Sequence, residues 1–535
     1  MTRIAGALPL LALWAVPLLA ALVMAMAAAA SSAAWTALLV HPQLWPALGL
    51  SLWTGTAATC LAFICALIIS AGFYRSPAWP WLQPLAATGM ALPHLAFAIG
   101  FGILIMPSGL VARLGVGGDT PPNWITTQDP LGLSLTIALA LKEIPFLVAM
   151  IWSPLAQGDT GTHLEGQWRA ARSLGHGAGS TWLRVVQPQI MRRMTWPLLI
   201  VFSYGASVVD MALVTGPTQP PPLAVIIWND LNHGTAANNA RGIAGAILLT
   251  LAIGSLAALS LLALRALGVA ARPLLSAGPS PRPAPRFIAA ASVGAAVLIY
   301  SAVLMLLTLL SFAPRWPYPA ILPPALSLSS WQMLLTSSPA LWLSLGLAAA
   351  SSITALVLVV LWFETQPRSR DRWLLVLAAA SLALPQVLIA AGQYNVLLRP
   401  GLTGDITGLF LVHLAPVIAY AAIVLAAPYR SFDQRYIAAA RSLSAGPWRR
   451  WRLVKGPLLR VPLLTAAAVG FSVSMVQFVP AQLIAAGRFE TLPMAAVTLT
   501  SGGSRSLSAA FALALALPPL LVFLAAAIAG RTRWR

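Results

Sequence analysis

Charged residues are scarce in this sequence, and acidic residues are the scarcest of them. Only 8% of the 535 residues are charged, with 12 Asp and Glu against 32 Lys and Arg. A soluble globular protein carries about 25% charged residues, because its surface must face water. Since 59% of the residues are hydrophobic and the mean hydropathy is +0.83, a disordered chain and an ordinary cytosolic enzyme are both excluded. The composition predicts a polytopic membrane protein.

Cysteine and lysine are also nearly absent, and this limits the chemistry of the chain. The two cysteines, Cys60 and Cys65, lie five residues apart in one apolar run, so they indicate neither a disulfide nor a metal site. His94 is interpreted as a core histidine, and no other His, Cys, Asp or Glu residues have metal-site spacing. Neither lysine lies in a G-x-x-x-x-G-K-[ST] phosphate loop. The sequence therefore predicts no metal, no cofactor and no ATP hydrolysis by this chain.

The long apolar runs predict an all-α protein with about twelve transmembrane helices. A spanning helix needs about 20 predominantly apolar residues. The runs that meet this criterion are 9–30, 46–72, 82–106, 132–156, 196–215, 242–264, 288–312, 341–362, 374–393, 407–427, 462–485 and 507–529. The first run ends in alanines like a signal peptide, but it is long for the apolar region of one. We expect it to be retained as a span.

The distribution of basic residues predicts the orientation of these spans. If the amino terminus is cytoplasmic, 25 of the 32 Lys and Arg face the cytoplasm and six face the opposite side, while Lys142 lies within a span. Loops that stay in the cytoplasm are enriched in Lys and Arg. The sequence therefore predicts that both termini are cytoplasmic. It also explains the net charge of +20 without a nucleic-acid partner.

A repeat at a constant offset of 269 residues divides the chain into two modules. Ala170–Leu174 recurs unchanged as Ala439–Leu443, and Trp182 and Pro188 recur as Trp451 and Pro457. Each half holds six spans, so both enter the membrane in the same direction and the repeats are parallel. We predict a first module at 1–267 with a basic loop at 157–194, and a second at 288–535 with a basic loop at 428–461. The Pro, Ser and Arg-rich segment 268–287 is typical of a cytoplasmic linker.

Each basic loop has the pattern of a short amphipathic helix that is followed by a break. Leu164, Trp168, Ala171 and Leu174 fall on one helical stripe, and Gly175 can end a helix in a left-handed turn. Such a helix could lie on the inner leaflet with its arginines on lipid phosphates. Because the alanines, the break and the terminal proline occur twice, a surface for a protein partner is the better interpretation.

At these residues the sequence resembles the membrane permease subunits of binding-protein-dependent ABC importers. Their loop signature is Glu-Ala-Ala, three residues, Gly, nine residues, Ile, one residue and Leu-Pro. The matching positions are Ala170, Ala171, Gly175, Val185 and Pro188 in the first loop, and Ala439, Ala440, Ser444, Val454 and Pro457 in the second. Arg169 and Ala438 replace the Glu of the signature, Ser444 replaces the second Gly, and Gln187 and Gly456 replace the Leu.

The resemblance extends over essentially the whole chain and implies partners. Fusion of two modules is similar to the ferric-iron and thiamine branch of the family. Three segments, Ala91–His94, Leu141–Phe146 and Tyr204–Pro222, look most like the thiamine-transport permeases. The resemblance implies a channel subunit in the bacterial inner membrane, with two copies of a cytoplasmic ATP-binding subunit on the two loops and a periplasmic solute-binding protein outside. The solute implied is thiamine or a related cation, with ferric iron as the alternative.

Five polar residues within the spans are candidates for the translocation pathway: Lys142, Glu143, Asp210, His413 and Gln477. Ionisable groups in a bilayer are costly and usually have a partner or a function. Asp210 could pair with Lys142 and leave Glu143 to line the pathway, or all three could form an ion-pair network that only fixes helix packing. Two acids and one base mildly favour a cationic solute. An ion-driven secondary carrier is an alternative function, and a membrane-embedded enzyme is disfavoured because no catalytic motif is present.

Overall fold

The computed structural model describes residues 14–115, 118–156, 158–271, 273, 278–337, 339–442 and 446–531. Within these ranges the chain forms helices and no strand. The helices of the first half are α1 Val16–Ala29, α2 Ser32–Leu39, α3 Leu44–Phe73, α4 Trp79–Ala91, α5 His94–Ile105, α6 Leu110–Gly115, α7 Leu133–Ala156, α8 Gly158–Ser173, α9 Ala178–Thr181, α10 Gln187–Met191, α11 Thr195–Ser207, α12 Asp210–Thr215, α13 Leu223–Asn232 and α14 Ala236–Ala270.

The second half repeats this order with few changes. Its helices are α15 Arg286–Ser311, α16 Ser329–Ser337, α17 Ala340–Thr365, α18 Asp371–Ala383, α19 Gln386–Leu398, α20 Ile406–Arg430, α21 Gln434–Ser442, α22 Pro447–Arg450, α23 Gly456–Leu458, α24 Arg460–Met475, α25 Val479–Ala485, α26 Leu492–Ser501 and α27 Arg505–Arg531. A 3₁₀ turn, Arg368–Arg370, precedes α18, and π-helical turns cover Trp182–Val186 and Trp451–Lys455.

The all-α polytopic fold is confirmed, but the count of twelve spans is not. In the described part of the chain, eight helices are long and apolar enough to cross a membrane, or ten if each of two bent helix pairs is one span. The difference arises because several predicted spans are broken near their middle. The run 82–106 splits into α4 and α5, and the run 374–393 splits into α18 and α19. Of the predicted first span, residues 9–13 lie outside the described residues.

The breaks fall at matching places in the two halves, and proline causes one pair of them. Pro93 follows α4 and Pro385 follows α18, and each caps the next helix in an extended conformation. Proline has no N–H and restricts the residue before it to extended conformations, so the preceding helix ends there. The segment Arg368–Ala383 meets α19 at an angle of 107°. The second pair of breaks lies between α11 and α12 and between α24 and α25.

The chain divides into two compact units, each of which includes segments from the other half of the sequence. Unit 1 comprises Met1–Trp35, Asp230–Ala244 and Leu328–Arg535, and unit 2 comprises Thr36–Asn229 and Gly245–Ser327. In unit 1, α1 packs on α19, and in unit 2, α15 packs on α3 and α5. The module boundaries at 267 and 288 describe the sequence repeat and stay a prediction.

Small residues let the helices of each unit approach closely. In unit 2, a Cβ atom on Gly55 of α3 would lie 2.7 Å from the backbone nitrogen of Ala206 in α11. In unit 1, a Cβ atom on Gly470 of α24 would lie 3.1 Å from the hydroxyl of Ser352 in α17, and that hydroxyl donates to the Ala467 carbonyl at 2.7 Å. Association of membrane helices depends on such close packing, because lipid is as apolar as the side chains themselves.

One hydrogen bond occurs at equivalent places in both units. The Ser51 hydroxyl accepts the N–H of Leu223, the first residue of α13, at 2.9 Å. The Ser344 hydroxyl accepts the N–H of Leu492, the first residue of α26, at 2.8 Å. The first N–H groups of a helix have no partner within it. The same solution in both units supports a common origin of the two repeats.

Helix α14 is the longest described helix and the one most exposed to its surroundings among the candidate spans. It has 35 residues, and only 11% of its most apolar window is buried within the protein. Arg241 lies near its start and Arg265 near its end, with no charged residue between them. Its apolar surface is therefore available to lipid.

Candidate functional site

The first basic loop forms two helical stretches around a glycine, and we call residues 158–191 coupling element 1 after the role predicted for them. Helix α8 ends at Ser173, and Gly175 follows with a φ of +88°, the left-handed conformation that glycine adopts without strain. The second helical stretch begins at Ala178 and passes through a π-helical turn, Trp182–Val186, which ends two residues before Pro188. A wider turn accommodates proline, which cannot donate to the preceding turn and would clash with it.

The apolar stripe of α8 faces its own protein rather than a partner. Leu164, Trp168 and Ala171 are buried, whereas Leu174 is 68% exposed and does not continue the stripe. Of the two signature alanines, Ala170 is the exposed one. Gly175 is exposed, while Val185 and Pro188 are half-buried. Ala170 is therefore the signature alanine that contributes a small side chain to the exposed surface of α8.

An aromatic cluster fixes coupling element 1 to the end of α3. The ring of Tyr74 lies 4.9 Å from that of Trp168 and 5.4 Å from that of Trp182. Beside it, Arg75 pairs with Glu165 at 3.0 Å, and Arg169 pairs with the same carboxylate. Arg169 stands where the family signature has Glu, and here its charge is directed along α8 to Glu165.

Coupling element 2 (residues 434–458) repeats this geometry in unit 1. Ala440 is buried and Ala439 is exposed, as their counterparts are in element 1. A π-helical turn, Trp451–Lys455, again precedes the proline, Pro457, and contains the half-buried Val454. Ser444, which replaces the signature glycine, lies outside the described residues.

A polar network rather than an aromatic cluster fixes coupling element 2. Lys455 Nζ donates to Glu364 Oε1 at 2.6 Å and lies 4.2 Å from the centre of the Tyr429 ring. The Tyr429 hydroxyl donates to the same carboxylate at 2.5 Å and accepts the Trp451 Nε1–H at 3.0 Å. Glu364 lies near the end of α17, as Tyr74 lies at the end of α3. The two elements are therefore anchored at equivalent places by different chemistry.

Within the membrane region of unit 2, Lys142 closes a broken helix. Its Nζ donates to the carbonyl oxygens of Gly89 at 2.8 Å and Leu92 at 2.5 Å, at the end of α4. The Gly89 carbonyl has no donor in its own helix, because the residue four positions later is Pro93. Lys142 is 2% exposed and forms no ion pair with Asp210 in the described part of the chain. The structure therefore favours a role in helix packing for this residue.

Glu143 forms a second polar group with His94. Its Oε1 lies 3.0 Å from His94 Nε2, and the imidazole lies 4.9 Å from the ring of Tyr204. Asp210 is the first residue of α12, directly after the other helix break of this unit. His94 and Asp210 lie at the two helix breaks of unit 2, and Glu143 on α7 contacts His94 at the first of them. Sequence reasoning placed His94 in the core and missed its partnership with Glu143.

The two candidates of the second half lie in unit 1. His413 Nδ1 lies 2.8 Å from the Ser474 hydroxyl, and its buried Nε2 has no hydrogen-bond partner among the described residues. Gln477 is buried in the break between α24 and α25 and donates to the Val473 carbonyl of α24 at 3.3 Å. Among the described residues, no group of three or more His, Cys, Asp or Glu side chains is placed to hold a metal ion.

Comparison with known proteins identifies two similar chains over nearly their full length. The chain is 30% identical over 525 residues to the inner membrane ABC transporter permease protein YnjC of Escherichia coli (strain K12), an alignment that covers 96% of this chain and 94% of that protein. It is 25% identical over 486 residues to the thiamine transport system permease protein ThiP of Salmonella typhimurium (strain LT2), covering 87% and 85% of the two chains. No protein-family profile matches the chain.

Proposed function

The chain belongs to the inner-membrane permeases of ABC transporters, and from this premise we propose that it is the fused channel subunit of an ATP-driven importer. A periplasmic binding protein delivers a small solute to the outer side. Two copies of a separate ATP-binding subunit dock on coupling elements 1 and 2 and hydrolyse the ATP. The predicted resemblance to fused two-module permeases is confirmed by these relatives, while the partners belong to the proposal.

The observation that carries this proposal is the duplicated coupling element. Both copies combine an exposed alanine, a helix break and a π-helical turn before a proline. Each copy is fixed to the end of a long apolar helix, α3 or α17. A helix anchored in this way moves as one body with the span that holds it, so force from a bound ATPase reaches the membrane. An ion-driven carrier has no partner for such a surface.

The proposed solute is thiamine or a related organic cation. The permease named for thiamine transport matches 87% of this chain at 25% identity. In unit 2, the Lys142 amine is bound to carbonyl groups, so it pairs with neither of the two acidic candidates, Glu143 and Asp210, among the described contacts. An excess of acidic groups favours a cation in a region of low dielectric constant.

The proposed orientation places both termini in the cytoplasm. Its support is the distribution of basic residues, of which 25 fall on the side of the two coupling elements and six on the other. Cysteine accessibility at the amino terminus in sealed, right-side-out vesicles tests this orientation.

The coupling proposal is tested with arginine at the exposed alanines. Ala170→Arg and Ala439→Arg place a long charged side chain on the surface that meets the ATPase, and we expect each to reduce uptake at least about tenfold, since a close contact is lost. Ala170→Ser and Ala439→Ser keep a small, uncharged side chain at these positions and should retain uptake. Ala171 and Ala440 are unsuitable for this test, because both are buried and arginine there would disturb folding.

The experiment measures uptake of labelled thiamine and the amount of ATP-binding subunit that copurifies with each variant. Normal uptake and copurification in both arginine variants would refute the coupling role. If the partner proteins assemble and another solute is taken up instead of thiamine, the substrate proposal fails and the importer proposal stands.

A further inference from the structure

We propose that residues 278–285 of the linker form a strap that positions coupling element 1, a role that rests on the proposed coupling function. The segment lies along the start of α9, the second helical stretch of the element. The Gly177 N–H donates to the Ser280 carbonyl at 2.7 Å, and the Gly179 N–H donates to the Arg282 carbonyl at 3.0 Å. Alternate residues of both segments thus pair in the same direction, as in a parallel β-bridge.

Side chains extend this contact on both sides of the backbone pairing. The Ser180 hydroxyl donates to the Ser280 carbonyl, and Arg184 Nη1 donates to the Gly278 carbonyl at 2.7 Å. The first N–H groups of a helix lack partners within it. The strap supplies acceptors for two such groups at the break of the coupling element, where α9 begins.

The strap fits only because two glycines leave room for it. A Cβ atom on Gly177 would lie 2.2 Å from the Arg282 carbonyl oxygen, and one on Gly179 would lie 2.1 Å from the Pro283 carbonyl oxygen. Gly177 has φ −66° and ψ 164°, values that any residue adopts. Space, rather than backbone conformation, is therefore what requires glycine at position 177.

Coupling element 2 provides a comparison without a strap. Gly446 is the counterpart of Gly177 and has nearly the same backbone conformation, φ −65° and ψ 163°. Among the residues that the structure describes, however, a Cβ atom on Gly446 would meet nothing within 4 Å. Pro447 follows it and has no N–H to donate. Trp448, which stands where Gly179 does in the first element, is exposed and stacks on Trp451. The two elements are therefore inequivalent.

The strap also connects coupling element 1 to a membrane helix. Helix α15 begins at Arg286, directly after the strap, and packs on α3 where a Cβ atom on Gly72 would lie 2.3 Å from Ala289 Cβ. A displacement of α15 along its axis must therefore move the strap carbonyls that hold Gly177 and Gly179. Through these contacts, a movement of either α3 or α15 is transmitted to coupling element 1.

The double variant Gly177→Ala/Gly179→Ala tests this role in the full chain assembled with its ATP-binding subunits and binding protein. Alanine favours helix more than glycine does. If alanine at position 179 nevertheless makes the amides of coupling element 1 exchange faster, the cause must be the clash with the strap. Gly446→Ala is the matched control for the exchange measurement, since the same change at the equivalent position meets no neighbour among the described residues. Ser180→Ala is a milder variant that removes one contact to the strap without a clash.

Amide hydrogen exchange and coupling are measured on the same preparations. We expect the double variant to exchange at least about tenfold faster in residues 177–182. It should also hydrolyse about twice as much ATP per labelled thiamine molecule taken up, or more. Ser180→Ala should change both quantities in the same direction by less, and Gly446→Ala should leave the exchange rates of residues 446–451 unchanged.

Two results would overturn the proposal. Unchanged exchange in the double variant means that the strap does not hold these amides. Faster exchange with an unchanged ratio of ATP to solute means that the contact has no role in coupling. A wild-type chain that binds no ATP-binding subunit would instead refute the proposed function, and the exchange comparison would still decide whether the linker docks.

Discussion

Replacing Lys142 by methionine should destabilise the protein by removing the donor that closes α4. The Lys142 amine donates to two carbonyl oxygens at 2.8 and 2.5 Å and is 2% exposed. A buried carbonyl left without a donor costs about 1–3 kcal/mol, so two of them cost about 2–6 kcal/mol. Methionine recovers part of this cost, because it has no polar group to desolvate. We expect a net loss of about 2–4 kcal/mol.

The assay is thermal unfolding of the purified chain in detergent, followed by the emission of its 20 tryptophans. A loss of this size corresponds to a decrease in Tm of about 5 °C for a cooperative unit of some 280 residues. Ile144→Met introduces the same side chain two positions along α7, where the residue is half-buried, and should leave the Tm nearly unchanged.

Uptake measured on the same Lys142→Met variant separates helix packing from solute binding. If Lys142 only closes α4, uptake per folded molecule stays within about twofold of the wild type. An unchanged Tm with abolished uptake would refute the packing role and place Lys142 on the translocation pathway.

Three further predictions follow from other contacts. Asp371→Ala leaves the largely buried Arg430 without the carboxylate that accepts from its Nε at 2.6 Å and Nη2 at 2.8 Å. The free energy of unfolding should fall by about 3 kcal/mol, which is measured as a lower Tm. A second change, Arg430→Met, should largely restore the Tm. Glu143→Gln should keep the Tm and lower thiamine uptake about tenfold if the carboxylate faces the solute; normal uptake would remove it from the pathway. The hydrogen bond from Arg169 and the charge of Arg75 hold the pKa of Glu165 below its ordinary value. Because that pKa is lowered on folding, the stabilisation is present above about pH 4.3 and is lost as the pH falls further. The Tm difference between the wild type and Glu165→Gln should therefore be present at pH 7 and vanish in strong acid, and a difference that persists there would contradict the ion pairs as its cause.

Hydrophobic run length predicted where the apolar helices lie, but it did not predict where they break. Pro93 ends α4 and separates it from α5, whereas α7 continues through Pro145 and Pro154. The local sequence is apolar in each case, so the outcome depends on a neighbour. At Pro93 the carbonyl freed by the proline has a donor, Lys142, from another helix. A contact between residues 53 positions apart leaves no periodic pattern in the sequence.

The coupling elements were the most predictable part of the candidate site. Two copies at a fixed offset marked Ala170, Ala439, Pro188 and Pro457, and the structure places the two alanines on exposed surfaces and the two prolines after π-helical turns. Which face of α8 is buried could not be predicted, because the partners of its apolar stripe include Tyr74 from a distant helix.

The docking of the linker could not be predicted from composition. Proline, serine and arginine are typical of a solvated linker, and backbone hydrogen bonds from a distant loop carry no compositional signal. A comparison of the two repeats does give one sign of this docking. Gly177 and Gly179 in the first copy correspond to Gly446 and Trp448 in the second. Two glycines two residues apart, one of them absent from the other copy, indicate a close approach of backbone on one side only.

The length of α14 has a consequence for the bilayer in which the protein works. From Arg241 to Arg265 the helix rises by about 36 Å at 1.5 Å per residue, whereas the hydrocarbon core of a bilayer is about 30 Å thick. Because a charged arginine is costly in hydrocarbon and little of the helix is covered by protein, α14 must tilt or the lipid must thicken around it. The thickness of the bilayer therefore affects the tilt of α14, and with it the position of the helix end that precedes the linker.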